Sequence, residues 1–277
     1  MPITLDFAGK LVLITGGGRG IGWAITQSLA RAGADVAITY TSTDPSSLTE
    51  ELSLCSGVKV RAFKCEVTDS AQVDRTIEAV EKEYGQQVDI GIASAGIALW
   101  KDAHDNTDDE FKRIFDVNVH GCYYFARALS RSWLDLPVTV SSTLSNLGEP
   151  RQLGKQILFI SSISGLVAMY PQHQAAYNAS KGALTMLSKS LAAEWAPWGI
   201  TVNSISPGYV NTDMIANPPD EEAKQWVGEW QRRTPAGRFA SAEEIGEFVA
   251  LMVSDKQGGM GWMTGSDVVV DGGYTLL

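Results

Sequence analysis

The sequence predicts an α/β protein of one domain, a doubly wound parallel sheet with helices on both faces. Three observations carry that prediction. Short apolar, β-branched runs recur along the 277 residues, stretches of helical spacing separate them, and no repeat or low-complexity tract breaks the alternation. The runs are Leu11–Ile14, Val36–Tyr40, Val58–Phe63, Ile90–Ala93, Ile157–Ile160, Thr201–Ile205 and Val268–Val270, each read as a strand. The first leads into Thr15-Gly16-Gly17-Gly18-Arg19-Gly20-Ile21-Gly22, and a helical pattern from Trp23 closes at Gly33. Two segments read as irregular: Leu136 to Gly154, rich in Ser, Thr, Pro and Gly, and Asn211 to Arg238, with Pro218-Pro219. Neither is long enough for a second domain, so residues 1–277 are read as one unit, with 211–238 expected to form a loop or lid. The acidic run Asp220-Glu221-Glu222 reads as a helix start, where carboxylates are favoured.

Composition narrows the function. With 44% hydrophobic and 19% charged residues the chain can bury a substantial core. A formal net charge of −10 argues against nucleic-acid and anionic-membrane partners, which are bound through basic patches. Residues 1–7 lack a basic stretch followed by an apolar one, and no run of eighteen apolar residues follows, so a soluble, cytoplasmic protein is expected. Cys55, Cys65 and Cys122 form no C-x-x-C pair and read as reduced packing residues. His104, His120 and His173 have no metal-ligand spacing, so no metal is expected.

Two features carry chemistry. Strand, glycine turn and helix in sequence let the backbone at Gly16, Gly20 and Gly22 approach a diphosphate, while the helix N-terminus offers free N–H groups, so the expected ligand is a dinucleotide. Tyr177 and Lys181 lie four residues apart, which sets phenol and ammonium side by side on one helix face. A cation beside a phenol favours the phenolate, and such a tyrosine can give or take a proton at a carbonyl or alcohol oxygen. The same spacing also fits an exposed Tyr beside a solvated Lys, so the rest of the chain decides.

Thr15-Gly16-x-x-x-Gly20-x-Gly22, Ser162 in Ile160-Ser161-Ser162-Ile163-Ser164-Gly165 and Tyr177-x-x-x-Lys181 together resemble the short-chain dehydrogenase/reductase family, a Rossmann-type fold. Asn118, the Asn203 to Gly208 segment, Thr264-Gly265 and Asp271-Gly272-Gly273 follow in the family's order, so the resemblance covers nearly the whole chain. It implies that Tyr177 is the proton donor and acceptor. Lys181 holds the nicotinamide ribose and lowers the phenol's pKa, Ser162 stabilises the reacting oxygen, and Asn118 keeps a water in a relay behind the lysine. Ser161 and Ser164 are alternatives to Ser162, and Asn118 can also be read as fixing a helix bend. The resemblance further implies cofactor contacts from Gly16, Arg19, Gly20, Ile21, Gly22, Tyr40, Thr41, Ser42, Glu66, Val67, Ser94, Ala95, Gly96, Asn118, Tyr177, Lys181, Pro207, Gly208, Val210 and Thr212.

Two positions depart from the family pattern. Ala93-Ser94-Ala95-Gly96 has a serine where the family has an asparagine, and Cys65-Glu66-Val67 has Glu66 where many relatives have Asp. Local adjustment at Ser94 is expected, because a hydroxyl forms fewer hydrogen bonds than an amide. The second strand ends Thr39-Tyr40-Thr41-Ser42 with no acid to bond a ribose 2′-hydroxyl, and Arg19 stands in the glycine turn, so NADP(H) is the expected cofactor. Asp44, beside Pro45, reads as a loop start.

The wording around Pro171-Gln172-His173-Gln174-Ala175-Ala176-Tyr177 resembles ketose and polyol reductases, the group of mannitol dehydrogenase, sorbose reductase and xylulose reductase. Gln172, His173 and Gln174 would suit hydroxyl-rich substrates or form a solvated loop. Trp100, Met214, Trp226 and Trp230 would line an apolar pocket or serve as packing. The expected function is NADPH-dependent reduction of a ketone or ketose, with the reverse oxidation of a polyol. The alternatives are a reductase of bulky apolar ketones or 3-oxoacyl thioesters, and a non-catalytic NADP-sensing module. The family also implies a homo-oligomer, tetramer or dimer, with Val268–Val270 near an interface.

Overall fold

The computed structural model describes residues 5–136, 152–212, 221–254 and 260–276. Seven parallel strands form one sheet in the order β3-β2-β1-β4-β5-β6-β9. They are β1 Leu11–Thr15, β2 Asp35–Tyr40, β3 Val60–Lys64, β4 Ile90–Ala93, β5 Lys155–Ile160, β6 Ile200–Pro207 and β9 Asp267–Val270. The order reverses between β1 and β4, and the crevice at that switch point is where such sheets receive ligands. Two short strands, β7 Val210–Asn211 and β8 Ala240–Ser241, pair separately. Each sheet run expected from the sequence is a strand, with one shift. β3 starts at Val60 because Val58 and Lys59 belong to the turn before it: the Val58 carbonyl accepts from Ser53 Oγ and the Lys59 N–H donates to Asp35. Val58 is apolar because it packs beside the core, not because it pairs.

Alternation along the strands divides the interior in two. Leu11 and Leu13 of β1 point with Ile157 and Phe159 of β5 into one cluster, closed by α3 Ser70–Tyr84, α5 Cys122–Trp133 and α6 Ala175–Trp195. Val12 and Ile14 point with Leu158 and Ile160 into the other, closed by α1 Gly20–Arg31, α2 Ser46–Ser56 and α8 Ala242–Met252. All five β1 residues are buried, as a central strand covered on both faces requires. At the amino edge of the sheet Asp89 joins its middle strands: one oxygen accepts the Leu11 N–H at 3.0 Å and the other pairs with Lys155 at 3.0 Å.

Helix α4, Asp108–Phe115, starts on a capping box between Thr107 and Glu110. It runs without a break through a π-helical stretch, Asp116–Gly121, into α5. Helix α7, Glu221–Arg233, begins at the acidic run read as a helix start, of which Asp220 lies outside the described residues. Most of Leu136–Gly154, Met214 and Pro218-Pro219 also lie outside them. Cys65 and Cys122 are buried, and burial pushes the Cys122 thiol up to about 11, but Cys55 is exposed and is not a packing residue. Among the described residues no helix is long and apolar enough to cross a membrane.

Gly91 of β4 sets how closely α5 approaches the sheet. A Cβ there would lie 2.2 Å from Leu129 Cδ1 and 3.2 Å from the Phe125 ring, both fully packed. Gly91→Ala is therefore expected to destabilise by about 1–3 kcal/mol through overpacking, seen as a lower urea midpoint at unchanged slope.

Candidate active site

The residues singled out in the sequence gather at the carboxyl ends of the strands. After β1, the chain turns through Gly16 at φ +66 into α1, whose first turn carries no acidic residue. A Cβ at Gly22 would lie 2.2 Å from the Gly16 carbonyl oxygen, and one at Gly16 would meet Ala95 Cα at 3.0 Å. Glycine alone permits this double approach, which leaves backbone bare beside the helix N-terminus. Gly20 faces Thr212, whose methyl lies 3.6 Å from where its Cβ would be, and Arg19 is exposed beside it.

After β4, Ser94 and Ala95 both donate their N–H groups to Thr15 Oγ1 at 3.1 Å. The threonine hydroxyl thus ties the glycine turn to the Ser94–Gly96 strip through the backbone, independently of the Ser94 side chain. Sequence reasoning gave Thr15 no role, and its place at the end of the first strand run was the available signal. Gly96 approaches the catalytic side: its Cβ would lie 3.3 Å from Asn118 Oδ1 and 3.7 Å from Lys181 Nζ.

Asn118 is fully buried in the π-helical stretch. Its Oδ1 accepts from the Ile97 N–H at 2.9 Å, and its Nδ2 donates to the Ile97 carbonyl at 2.9 Å and to Ser180 Oγ at 3.0 Å. Both amide hydrogens are committed to protein, so the side chain braces the helix distortion against the strip after β4 and against α6. The π-turn re-aims one residue out of a regular helix, a device common at functional sites.

Helix α6 presents Tyr177 and Lys181 one turn apart. Lys181 is 5% exposed, donates to the Ile160 carbonyl at 2.8 Å, and holds its Nζ 5.7 Å from the Tyr177 ring centre. Of the three candidate serines, Ser161 is buried and donates to the Lys181 carbonyl at 3.1 Å, with its hydroxyl also 2.9 Å from Thr185 Oγ1. Ser164 is buried and accepts from Gln174. Ser162 is half-buried in extended backbone, with one bond from the Ser164 N–H. The turn that follows it, Ile163–Gly165, lies flat on α6, for a Cβ at Gly165 would sit 2.7 Å from the Gly182 nitrogen.

Residues 16–275 match the family described as enoyl-(acyl carrier protein) reductase. The chain belongs to the short-chain dehydrogenase/reductase family. It is 40% identical to a sorbose reductase of Candida albicans over 96% of this chain and 87% of that protein. A probable NADP-dependent mannitol dehydrogenase of Yarrowia lipolytica is 36% identical over the same two shares. The solved NADPH-dependent 3-quinuclidinone reductase of Rhodotorula rubra superposes with a TM-score of 0.82 at 32% identity, covering 99% of this chain and 94% of that one.

The remaining expected contacts of this short-chain dehydrogenase/reductase lie on the same edge, with adjustments. At the end of β2 the Tyr40 hydroxyl donates to Asp44 at 2.9 Å, and Asp44 also accepts from the Ser46 N–H and hydroxyl. Asp44 is a loop start, as expected, but it also restrains Tyr40; the Ser46 and Tyr40 bonds hold its carboxyl below the usual range. Thr41 and Ser42 are exposed beyond it. Glu66 is exposed and its carboxylate caps Thr68, while the Val67 side chain is buried against Gly121. Pro207 ends β6 and Gly208 packs on Asp271, where a Cβ would come within 2.8 Å of its Cα; Val210 pairs in β7. Ile21 is half-buried in the first turn of α1.

Gln172 and Gln174 form neither a solvated loop nor an open polar wall. Both are buried, Gln172 between Trp230 and Tyr209 and Gln174 between Ser164 and Asn178. His173 alone is exposed, and it pairs with Asp102. Trp230 is fully buried and is therefore packing, whereas Trp100 and Trp226 are half-buried with their rings 6.0 Å apart. Among the described residues Asp102, His104 and Asp105 could share a cation, on a largely exposed loop.

Asn118→Leu leaves the Ile97 N–H, the Ile97 carbonyl and the Ser180 hydroxyl without this partner. The variant is expected to lose about 1–3 kcal/mol for each group left unsatisfied, measured by urea denaturation of the protein without cofactor.

Proposed function

We propose that the protein is an NADPH-dependent reductase of a ketose or related ketone, running in reverse as an NADP-dependent polyol or secondary-alcohol dehydrogenase, with Tyr177 as general acid and base. The observation that carries the reading is the buried Lys181 ammonium beside the half-buried Tyr177, with Ser162 on the turn packed against their helix. Tyr177, one helical turn from that ammonium, is placed to give or take a proton at a carbonyl or alcohol oxygen.

The bare glycine turn, the acid-free start of α1 and the Ser94–Gly96 strip fit a dinucleotide: a side chain at Gly16, Gly22 or Gly96 would fill the cradle. NADPH bound there would supply the hydride. Gly16, Gly20, Ile21 and Gly22 would hold its diphosphate, with Thr212 opposite. Arg19, Tyr40, Thr41 and Ser42 would hold the 2′-phosphate, and Glu66 and Val67 the adenine. Ser94, Ala95, Gly96, Pro207, Gly208 and Val210 would flank the nicotinamide half. An ammonium has three donors; the Ile160 carbonyl takes one of those of Lys181, leaving others for ribose hydroxyls. The NADP preference rests on Arg19, on the absence of an acid at Tyr40, and on relatives named as NADP-dependent. Asp44, the nearest carboxylate along the chain, is spent on Ser46 and Tyr40.

In reduction Ser162 Oγ donates to the carbonyl oxygen and stabilises the charge that grows there, and Tyr177 delivers its proton to the same atom. Asn118 holds Ile97, next to Gly96, and Ser180 in place around Lys181. The substrate class follows relatives named for sorbose, mannitol and galactitol. A second reading, reduction of bulky apolar ketones, is favoured by the half-buried Trp100 and Trp226. Retention of Ser162, Tyr177, Lys181 and Asn118 together weighs against a non-catalytic sensor. We infer also a single domain with residues 211–238 as its lid, and a cytoplasmic homo-oligomer, tetramer favoured. The half-exposed Val269 on the outermost strand, at 40%, supports an interface there.

An NADPH-oxidation screen over ketoses, aromatic ketones and oxoacyl esters tests the reading; failure to turn over any of them would remove it. Tyr177→Phe should lower kcat by about 10²–10⁴ with NADPH affinity intact, whereas Lys181→Ala should weaken NADPH binding as well. Ser162→Ala should cut kcat by about 10²–10³ without loss of stability, and Ser161→Ala the converse. Tyr40→Asp should shift preference towards NADH, and unchanged NADPH affinity would refute the assigned cofactor pocket.

A further inference from the structure

Gln172 lies five residues before Tyr177 and is 2% exposed. Its Oε1 accepts from Trp230 Nε1 at 2.7 Å, and its Nε2 donates to the Tyr209 hydroxyl at 2.8 Å. Each partner belongs to a different part of the site. Trp230 sits on α7, in the segment proposed as the lid, and Tyr209 follows Gly208 on the turn after β6. Tyr209 stacks on Trp230 with ring centres 4.7 Å apart, so the three side chains close into a ring of contacts.

Trp230 in turn supports Trp100 at 5.6 Å and Trp226 at 6.2 Å. Trp100 belongs to a short segment fixed at both ends. Ile97 is held by Asn118, while Lys101 donates its N–H to the His173 carbonyl and bridges to Gln174. The half-buried Trp100 and Trp226 thus rest on a core tryptophan whose only side-chain polar atom is held by Gln172. A buried primary amide satisfied at both ends fixes its partners in one arrangement, because leaving either end unpaired is costly.

We propose that Gln172 is a positioning residue for substrate selection. It sets the posture of α7, and through Trp230 it sets the aromatic wall of Trp100 and Trp226 against which the carbon skeleton of the carbonyl substrate packs. The proposal rests on the reductase reading above. Gln172 bonds none of the proton-transfer residues, and it meets the cofactor edge only through the Tyr209 hydroxyl, a side chain outside the assigned contacts, so its signature is in KM for the carbonyl compound rather than in cofactor binding.

The test compares wild type with Gln172→Leu, Tyr209→Phe and the double variant. KM and kcat are measured for a ketose and for an aromatic ketone, NADPH affinity by fluorescence titration, and the exciton couplet of the packed indoles by circular dichroism. Gln172→Leu is expected to raise KM for the preferred substrate by about tenfold or more, to change the ratio between the two substrates, and to weaken the couplet. NADPH affinity and most of kcat should remain. Tyr209→Phe should move the same quantities less, and the double variant should equal Gln172→Leu alone. Unchanged KM, a parallel loss of NADPH affinity, or effects of the two substitutions that simply multiply would each overturn the proposal. If Gln172→Leu does not fold, Tyr209→Phe, which removes one oxygen, gives the same readouts. If wild type reduces no carbonyl, the reductase reading falls and the couplet decides the clamp: weakened in Gln172→Leu it stands, intact it does not.

Discussion

The buried amide of Asn118 is the constraint on which the site depends. A regular helix from Asp108 to Trp133 would carry residue 118 past the sheet with its side chain on a fixed spiral. The π-turn interrupts that spiral, and the Asn118 amide at its centre binds both backbone polar groups of Ile97 and the hydroxyl of Ser180. Three segments that are distant in sequence are thereby held in contact: the strip after β4, the bulged helix and the catalytic helix. Lys181 can be buried as a cation only in such a fixed frame, with the Ile160 carbonyl aimed at its ammonium.

The fold was legible because its signal is periodic and local. Strand runs covered on both faces are continuously apolar, and the glycine turn stands out in any reading frame. That Tyr177 and Lys181 share a helix face was legible because four residues on a helix is a fixed distance, but only the glycine turn, Ser162 and Asn118 elsewhere in the chain gave the pair a chemical reading. The family resemblance put Ser162 ahead of Ser161 and Ser164; the three differ in burial, a tertiary property that no local pattern carries. The π-turn was not legible, since a π-bulge has no compositional mark and is set by what the helix must reach. Thr15 was overlooked for a similar reason. A threonine at a strand end reads as a β-branched residue, and its hydroxyl gains meaning only when the Ser94 and Ala95 amides arrive from another strand.

The glutamines before α6 show the opposite error. Polar side chains in a short stretch beginning with proline read as a solvated surface, because most such stretches are. Here the polar groups are buried because each has a partner already in the core: an indole N–H, a phenol, a serine hydroxyl and an asparagine oxygen. The tryptophans illustrate the complementary point, since spacing of four residues cannot separate Trp226, half-buried, from Trp230, fully enclosed. The difference is made by Tyr209 and Gln172, which no helical pattern contains.

The Thr15 hydroxyl also bears on the register at the centre of the sheet. It joins groups 79 and 80 positions apart along the chain, and it does so only when β1 and β4 are aligned with Thr15 opposite Ala93. Contacts of such long range are slow to form, because a large loop must close before they are rewarded. A slip of one residue would turn every β4 side chain to the wrong face and carry both amides away from the hydroxyl. The nucleotide cradle is therefore a product of the register at the centre of the sheet, and a chain able to hold a dinucleotide there is one in which β1 and β4 are correctly aligned.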